Sequence, residues 1–161
     1  MDDHDELLAR LLAEEDELQF AAFTNDTAWE LGQSLVAAAR RDALAVTIDI
    51  RRGEQQLFHC ALAGTAADND ALIERKNRVV RRFGHSSFCV GTACRLEGRP
   101  FAEKFLLDPA LFAAHGGACP VIVRDAGVVG TVTVSGLPQE DDHRLVVSVL
   151  RAFLGRAIEA G

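Results

Sequence analysis

The sequence predicts an α+β domain, an antiparallel sheet flanked by helices. Three observations carry that reading. Leu44, Val46, Ile48 and Ile50 alternate with Ala45, Thr47 and Asp49, the period of a half-buried strand. Arg51-Arg52-Gly53-Glu54 then turns the chain into a second strand near Gln56–Ala63. A second hairpin follows the same logic. Val121 and Val123 alternate with Ile122 and Arg124, Asp125-Ala126-Gly127 is turn chemistry, and Val128, Gly130, Val132 and Val134 share a register opposite Val129, Thr131, Thr133 and Ser135. Between the hairpins the periodicity is helical, without the steady β-α-β alternation of a doubly wound nucleotide-binding fold.

The helices follow in order. Glu6–Glu17 carries Leu7, Leu8, Leu11 and Leu12 at helical spacing, with Leu18 next. Thr24-Asn25-Asp26 offers caps for a helix through Arg40, whose inner face is Leu31, Leu35, Val36 and Ala39. Asp68 or Asn69 caps a helix to Phe83, and Gly84 suits its end. His85–Arg95 fits either a helix or a strand. Asp108-Pro109 predicts a short helix closing at Gly116, which would place His115 at its cation-favouring end. Asp141 or Asp142 caps a last helix with Leu145, Val146, Val149, Leu150 and Phe153 inward. Two segments result: an acidic N-terminal helix over residues 1–22 and a single domain over residues 23–161.

Composition narrows the class. A chain of 161 residues is one domain by length. No apolar run reaches membrane-spanning length, and the start, Met1-Asp2-Asp3-His4-Asp5-Glu6, is the opposite of a leader peptide, so a cytoplasmic protein is expected. Cys60, Cys89, Cys94 and Cys119 form no C-x-x-C pair and read as buried thiols. Cys89 and Cys94 are C-x4-C, too loose for zinc without further ligands, so no metal site is expected. Of the formal net charge of -7, almost all lies in residues 1–17, with eight acids against Arg10. Arg75, Lys76, Arg78, Arg81, Arg82 and Arg95 form the opposite pole, with no acid among them. Both poles read as solvated faces, or as an anion site and an acidic helix that docks from a neighbouring subunit. The negative total excludes a nucleic-acid binder, and G-x-S-x-G, phosphate-loop and H-E-x-x-H motifs are absent.

Several short motifs coincide at characteristic spacings: Trp29, Asp68-Asn69, Arg75-Lys76-Asn77, Ser86-Ser87, Gly116-Gly117 with Pro120, Gly130, Val134-Ser135-Gly136-Leu137 and Asp142-His143. On these residues the chain resembles the haem-binding and haem-degrading domain family that includes the sensor HbpS, GlcG proteins and the C-terminal domain of PduO-type adenosyltransferases. The resemblance covers roughly residues 29–154 and is nearest to a subgroup of small uncharacterised proteins. It implies a profilin-like three-layer α/β/α fold with a five-stranded antiparallel sheet, assembly into dimers or higher oligomers, and haem as cofactor. That subgroup commonly carries a phenylalanine before the proline, where this chain has Cys119.

The candidate ligand-binding residues are His143, Asp142, Ser135, Gly136, Gly116, Gly117, Arg75, Lys76, Arg78, His85, Ser86 and Ser87, with no catalytic residue assigned. A helix start beside the Ser135-Gly136 corner is a ready anion site, and His143 there would bind iron or move a proton. The plainer reading is that Asp142 caps and His143 packs on the loop. Similarly, Ser86 or Ser87 reads first as a helix cap rather than as the partner of His85. Arg75, Arg78 and Arg82 share a helix face suited to carboxylates. Gly130 and Gly136 require close approach of either a ligand or another backbone. Two functions remain open: a binder of a small planar anion such as haem, or a non-catalytic homo-oligomer whose motifs build subunit contacts.

Overall fold

The structure, a computed structural model, describes the backbone of residues 3–160 and side chains through residue 156. The outer ends of the two expected segments, residues 1, 2 and 161, lie outside the described residues. The chain runs α1 (Asp3–Glu17), β1 (Gln19–Phe20), α2 (Asn25–Arg41), β2 (Thr47–Arg52), β3 (Gln55–Ala61), α3 (Ala67–Phe83), α4 (Ser87–Glu97), α5 (Phe101–Phe105), β4 (Ala118–Val123), β5 (Gly127–Ser135) and α6 (Gln139–Ala160). One five-stranded sheet has the order β1-β4-β5-β2-β3. Among the described residues no helix is long and apolar enough to cross a membrane.

The α+β class and five strands agree with expectation, but the sheet is mixed rather than antiparallel. Both hairpins and the central β5–β2 pair are antiparallel, whereas β1 runs parallel to β4. Two paired residues are too short to show a strand period, so β1 leaves no sequence signal. What fixes it is tertiary. Phe20 is buried against Phe23 and Phe153, and its carbonyl accepts from Arg124 N–H at 2.9 Å.

Alternation along the strands makes two unlike faces. Val46, Ile48, Ile50, Cys119, Val121, Val132 and Val134 form one, packed by Leu31 and Leu35 of α2 and by Val146, Val149 and Leu150 of α6. Each large aliphatic side chain buried there contributes about 1.5–3 kcal/mol of transfer free energy. Thr24 fixes where α2 begins, through a reciprocal capping box with Thr27. A methyl group at Gly130 would overlap the Arg51 carbonyl, so that glycine serves the close approach of β2 rather than of a ligand.

The opposite face is polar and equally buried: Thr47, Asp49, Thr131, Thr133 and Ser135. Covering it is α3, whose first turn is held by Asn69 Oδ1 accepting from Ala66 N–H at 2.9 Å, and whose end is the left-handed Gly84. Buried polar groups require partners. Thr133 Oγ1 donates to Asn77 Oδ1 at 2.5 Å, and Asp49 accepts from Arg51 at 2.9 Å and Gln56 at 2.7 Å. Lys76 and Asp142, each 1% exposed, pair at 3.1 Å, and Lys76 Nζ also donates to the Val134 carbonyl at 3.2 Å.

One open segment is resolved and two local expectations are corrected. Residues 85–95, left open between helix and strand, lead into and form most of helix α4, with Ser86 Oγ accepting from Cys89 N–H at 3.0 Å as its cap. The expected helix at 108–116 does not form. Arg75 and Arg78 of α3 take the Pro109 and Leu111 carbonyls at 2.8 and 3.0 Å, and Ala113 N–H donates to the Arg75 carbonyl. With those backbone groups committed to α3, the segment makes a single turn, and the helix nearby is α5 instead. Finally, α6 starts at Gln139, with the Pro138 carbonyl accepting from Asp142 N–H. Asp142 therefore lies inside the first turn and reaches back to Leu137 N–H at 2.9 Å rather than standing at the cap.

Candidate functional site

Two places concentrate chemistry. The first is the joint where α1 crosses from α4 to α6. Leu11, with Leu7 and Leu8, packs on Phe88 and Cys89. Carboxylates of the next turn fall on three bases: Glu14 on His143 Nε2 at 3.0 Å, Glu15 on His85 Nδ1 at 2.6 Å, and Glu17 on Arg151 at 2.9 Å. Through these carboxylates the acidic helix docks within its own chain, on α6 and on the start of α4. His143 is 6% exposed, its other nitrogen is 3.8 Å from Cys119 Sγ, and its ring lies 5.0 Å from that of Phe88. Burial, reinforced by the acids of α1, pushes the Cys89 thiol up to about 12 and Cys119 higher still, so both stay protonated.

The second is a cleft of about 650 Å³ between α4, α5 and the 109–115 segment. Its walls include Arg75, Arg95, Arg99, Phe101, Phe112 and His115, with His4 of α1 at one side. Close packing defines the floor: a methyl at Gly91 would overlap the Ala114 carbonyl, so α4 lies directly on that segment. Arg75 is anchored through Pro109, and Arg95 through Thr92 Oγ1 at 2.9 Å with its guanidinium 5.6 Å over Phe88. Among the described residues no carboxylate lines the cleft, although the chain carries a formal net charge of -7. Partial burial, and then the positive charge of Lys76, Arg75 and Arg95, hold the His115 imidazole below its ordinary value, so it is neutral at neutral pH. This reverses the expectation of a cationic His115 closing a helix.

The residues singled out by sequence are divided between these places and the interior. Arg75 reaches the cleft. Arg78 is spent on Leu111, and Lys76 and Asp142 form the buried pair. Ser135 is buried and accepts from Asn69 at 3.4 Å, and a methyl at Gly136 would strike the Ala45 carbonyl. Gly116 and Gly117 pack equally closely against the Gln139 and Val134 carbonyls. Ser87 Oγ accepts from Ala118 N–H at 3.1 Å, tying α4 to β4. His143, His85 and Ser86 lie at the α1 joint. Sequence reasoning missed Arg99, Phe101, Phe112 and the cleft role of His115 and Arg95. The one available signal was a further base, Arg99, just past Arg95 and Glu97 with no intervening strand.

Comparison with known proteins adds an independent line. A family model described as haem degrading protein HbpS-like matches residues 23–151. A UPF0303 protein of Streptomyces coelicolor is 55% identical over 148 residues, covering 92% of this chain and 94% of that protein. The crystal structure of the Ybr137w protein superposes with a TM-score of 0.87 at 35% identity, covering 94% of this chain and 89% of that one. That of a PduOC:heme complex shares the fold, with a TM-score of 0.67 at 16% identity over 81% of this chain and 94% of that one. By sequence and by fold, the chain belongs to the HbpS-like family, together with the UPF0303 proteins.

Proposed function

We propose that the arginine-lined cleft binds a planar, polyanionic small molecule, and that this molecule is haem. The observation that carries the reading is the inversion of charge: among the described residues, three arginines and no carboxylate line this cleft of an acidic protein. Its volume of about 650 Å³ suits a small-molecule site. The residues fit the group. Arg75, Arg95 and Arg99 would hold the propionates through charge-assisted hydrogen bonds. Phe101 and Phe112 offer apolar surface to the ring, and a neutral His115 has the free nitrogen lone pair that an iron ligand needs. Bound haem supplies the iron-centred redox chemistry, while the protein binds, orients and shields it. The family description and the haem complex of a neighbour in fold support this choice of ligand.

Self-association is the second part of the reading. Trp29 is 56% exposed and edge-on to Phe58, ring centroids 5.7 Å apart, beside the outer strand β3. Such an aromatic pair at an open sheet edge is a natural subunit contact.

Haem titration followed by native mass spectrometry tests both parts. The expected result is a saturable Soret shift at one haem per chain, in an assembly of at least two chains. His115→Ala alters the spectrum, and Arg99→Ala weakens binding about tenfold, as loss of one charge-assisted contact should. A non-saturable titration removes haem. A spectrum altered by His143→Ala but not His115→Ala moves the site to the α1 joint.

A further inference from the structure

At the α1 joint, Glu15, His85 and Cys89 present a carboxylate oxygen, an imidazole nitrogen and a sulfur whose donor atoms all lie within 4.8 Å of one another. Neither the sequence nor the cleft reading uses them together. We propose that these three side chains form a zinc-type metal site with one coordination position left for water, clamping α1 to α4.

The local structure presents the donors. Ser86 caps α4, which places Cys89 in its first turn and His85 just before the cap, an H-x3-C spacing with both side chains on one side. Glu15 arrives from α1. One of its oxygens accepts from Ser86 N–H at 2.8 Å and the other faces His85 Nδ1 at 2.6 Å. The Ser86 contact fixes the carboxylate from behind, as outer-shell hydrogen bonds do at metal centres. A mixed O, N, S set suits Zn²⁺ or Co²⁺ better than a hard cation. Tetrahedral zinc holds its ligands about 3.2–3.7 Å apart, a value that follows from bonds of roughly 2.0–2.3 Å. Small rotations of Glu15 and the half-exposed His85 reach that spacing.

Charge also balances. A dication, a carboxylate and a thiolate sum to zero with His85 neutral, which makes burial of Cys89 compatible with an ion. On binding, the Cys89 S–H bond breaks, its proton passes to solvent, and the sulfur electron pair bonds the metal. The neighbouring trio of Glu14, His143 and Cys119 is no equivalent. There the acid and the sulfur face opposite nitrogens of one ring, so their donors do not converge.

Titration of the metal-free full-length protein with Co²⁺ tests the site. The expected result is one equivalent per chain with a sulfur-to-cobalt charge-transfer band in the near ultraviolet, displaced by Zn²⁺. Cys89→Ser and His85→Ala abolish the band, whereas Cys94→Ser keeps it. His85→Ala leaves haem titration in the cleft unchanged, so the two readings fail separately. Cobalt binding without a sulfur band, or a band that survives Cys89→Ser in a folded variant, overturns the assignment.

Discussion

Beneath α3 and beneath α1 the chain sets acids against bases in two different dielectric settings. Under α3, Lys76 and Asp142 meet in full burial, beside the Asp49, Asn77 and Thr133 hydrogen bonds. Under α1, three carboxylates meet three bases in graded exposure, from Glu14 on buried His143 to Glu17 on open Arg151. Both arrangements join elements distant in sequence. The buried one tolerates no loss of a partner, because water does not reach the charge left behind. The graded one can be loosened by salt or acid from its outer end inward. One seam therefore defines the fold, and the other attaches a helix to it.

The largest expected effect comes from breaking the inner pair. Lys76→Met strands a buried carboxylate and should cost about 3–5 kcal/mol of unfolding free energy, read from the urea midpoint. Adding Asp142→Asn should recover most of it, since the amide oxygen still accepts from Leu137 N–H. If the double variant is no more stable than the single one, charge is not what makes this seam intolerant.

A subtler contrast lies within the same face. Thr133→Val leaves Asn77 Oδ1 without its donor and should cost about 1–3 kcal/mol. Thr47 Oγ1 is buried with no hydrogen-bond partner among the described residues, so Thr47→Val should be near neutral. Equal losses in denaturant titrations would mean that side-chain shape, not hydrogen bonding, governs the polar face.

The smallest effect belongs to the outer seam. Hydrogen bonding to Arg151 holds the Glu17 carboxyl below its ordinary value of 4.5. A depressed acid stabilises the folded state above its unfolded value, and that contribution disappears as pH falls through the folded value. Both partners are about half exposed, so after screening the contribution is at most about 0.5 kcal/mol. Thermal melts of Arg151→Ala and the parent should differ slightly at neutral pH and low salt, and converge in strong acid or molar salt. A difference that persists in acid would assign Arg151 a packing role instead.

Periodicity made the two hairpins and four of the helices legible, because burying one side of an element writes that side into the spacing of apolar residues. It did not reveal β1, whose two residues hold no period, or the fate of 109–113, whose carbonyls are claimed by arginines more than thirty residues upstream. The glycine corner was legible as close packing, while its partner was not: Gly130 and Gly136 admit backbone. Glu15 lies 70 residues before His85, so no local spacing announces that they meet. Lys76 stands in a basic run that reads as solvated, and its buried partners, the Val134 carbonyl and Asp142, lie 58 and 66 residues later.

The short strand β1 also determines how the sheet may grow. On the β4 side, β1, Ser87 and the donorless Pro120 occupy or blunt the ladder groups, leaving β3 as the unguarded margin. A sheet with one margin can join a copy of itself margin to margin about a twofold axis, after which nothing remains to extend. If copies pair through β3, as proposed above, strand addition is self-terminating: the expected product is a pair with a continuous ten-stranded sheet, twice the five strands of one chain, and not a fibre.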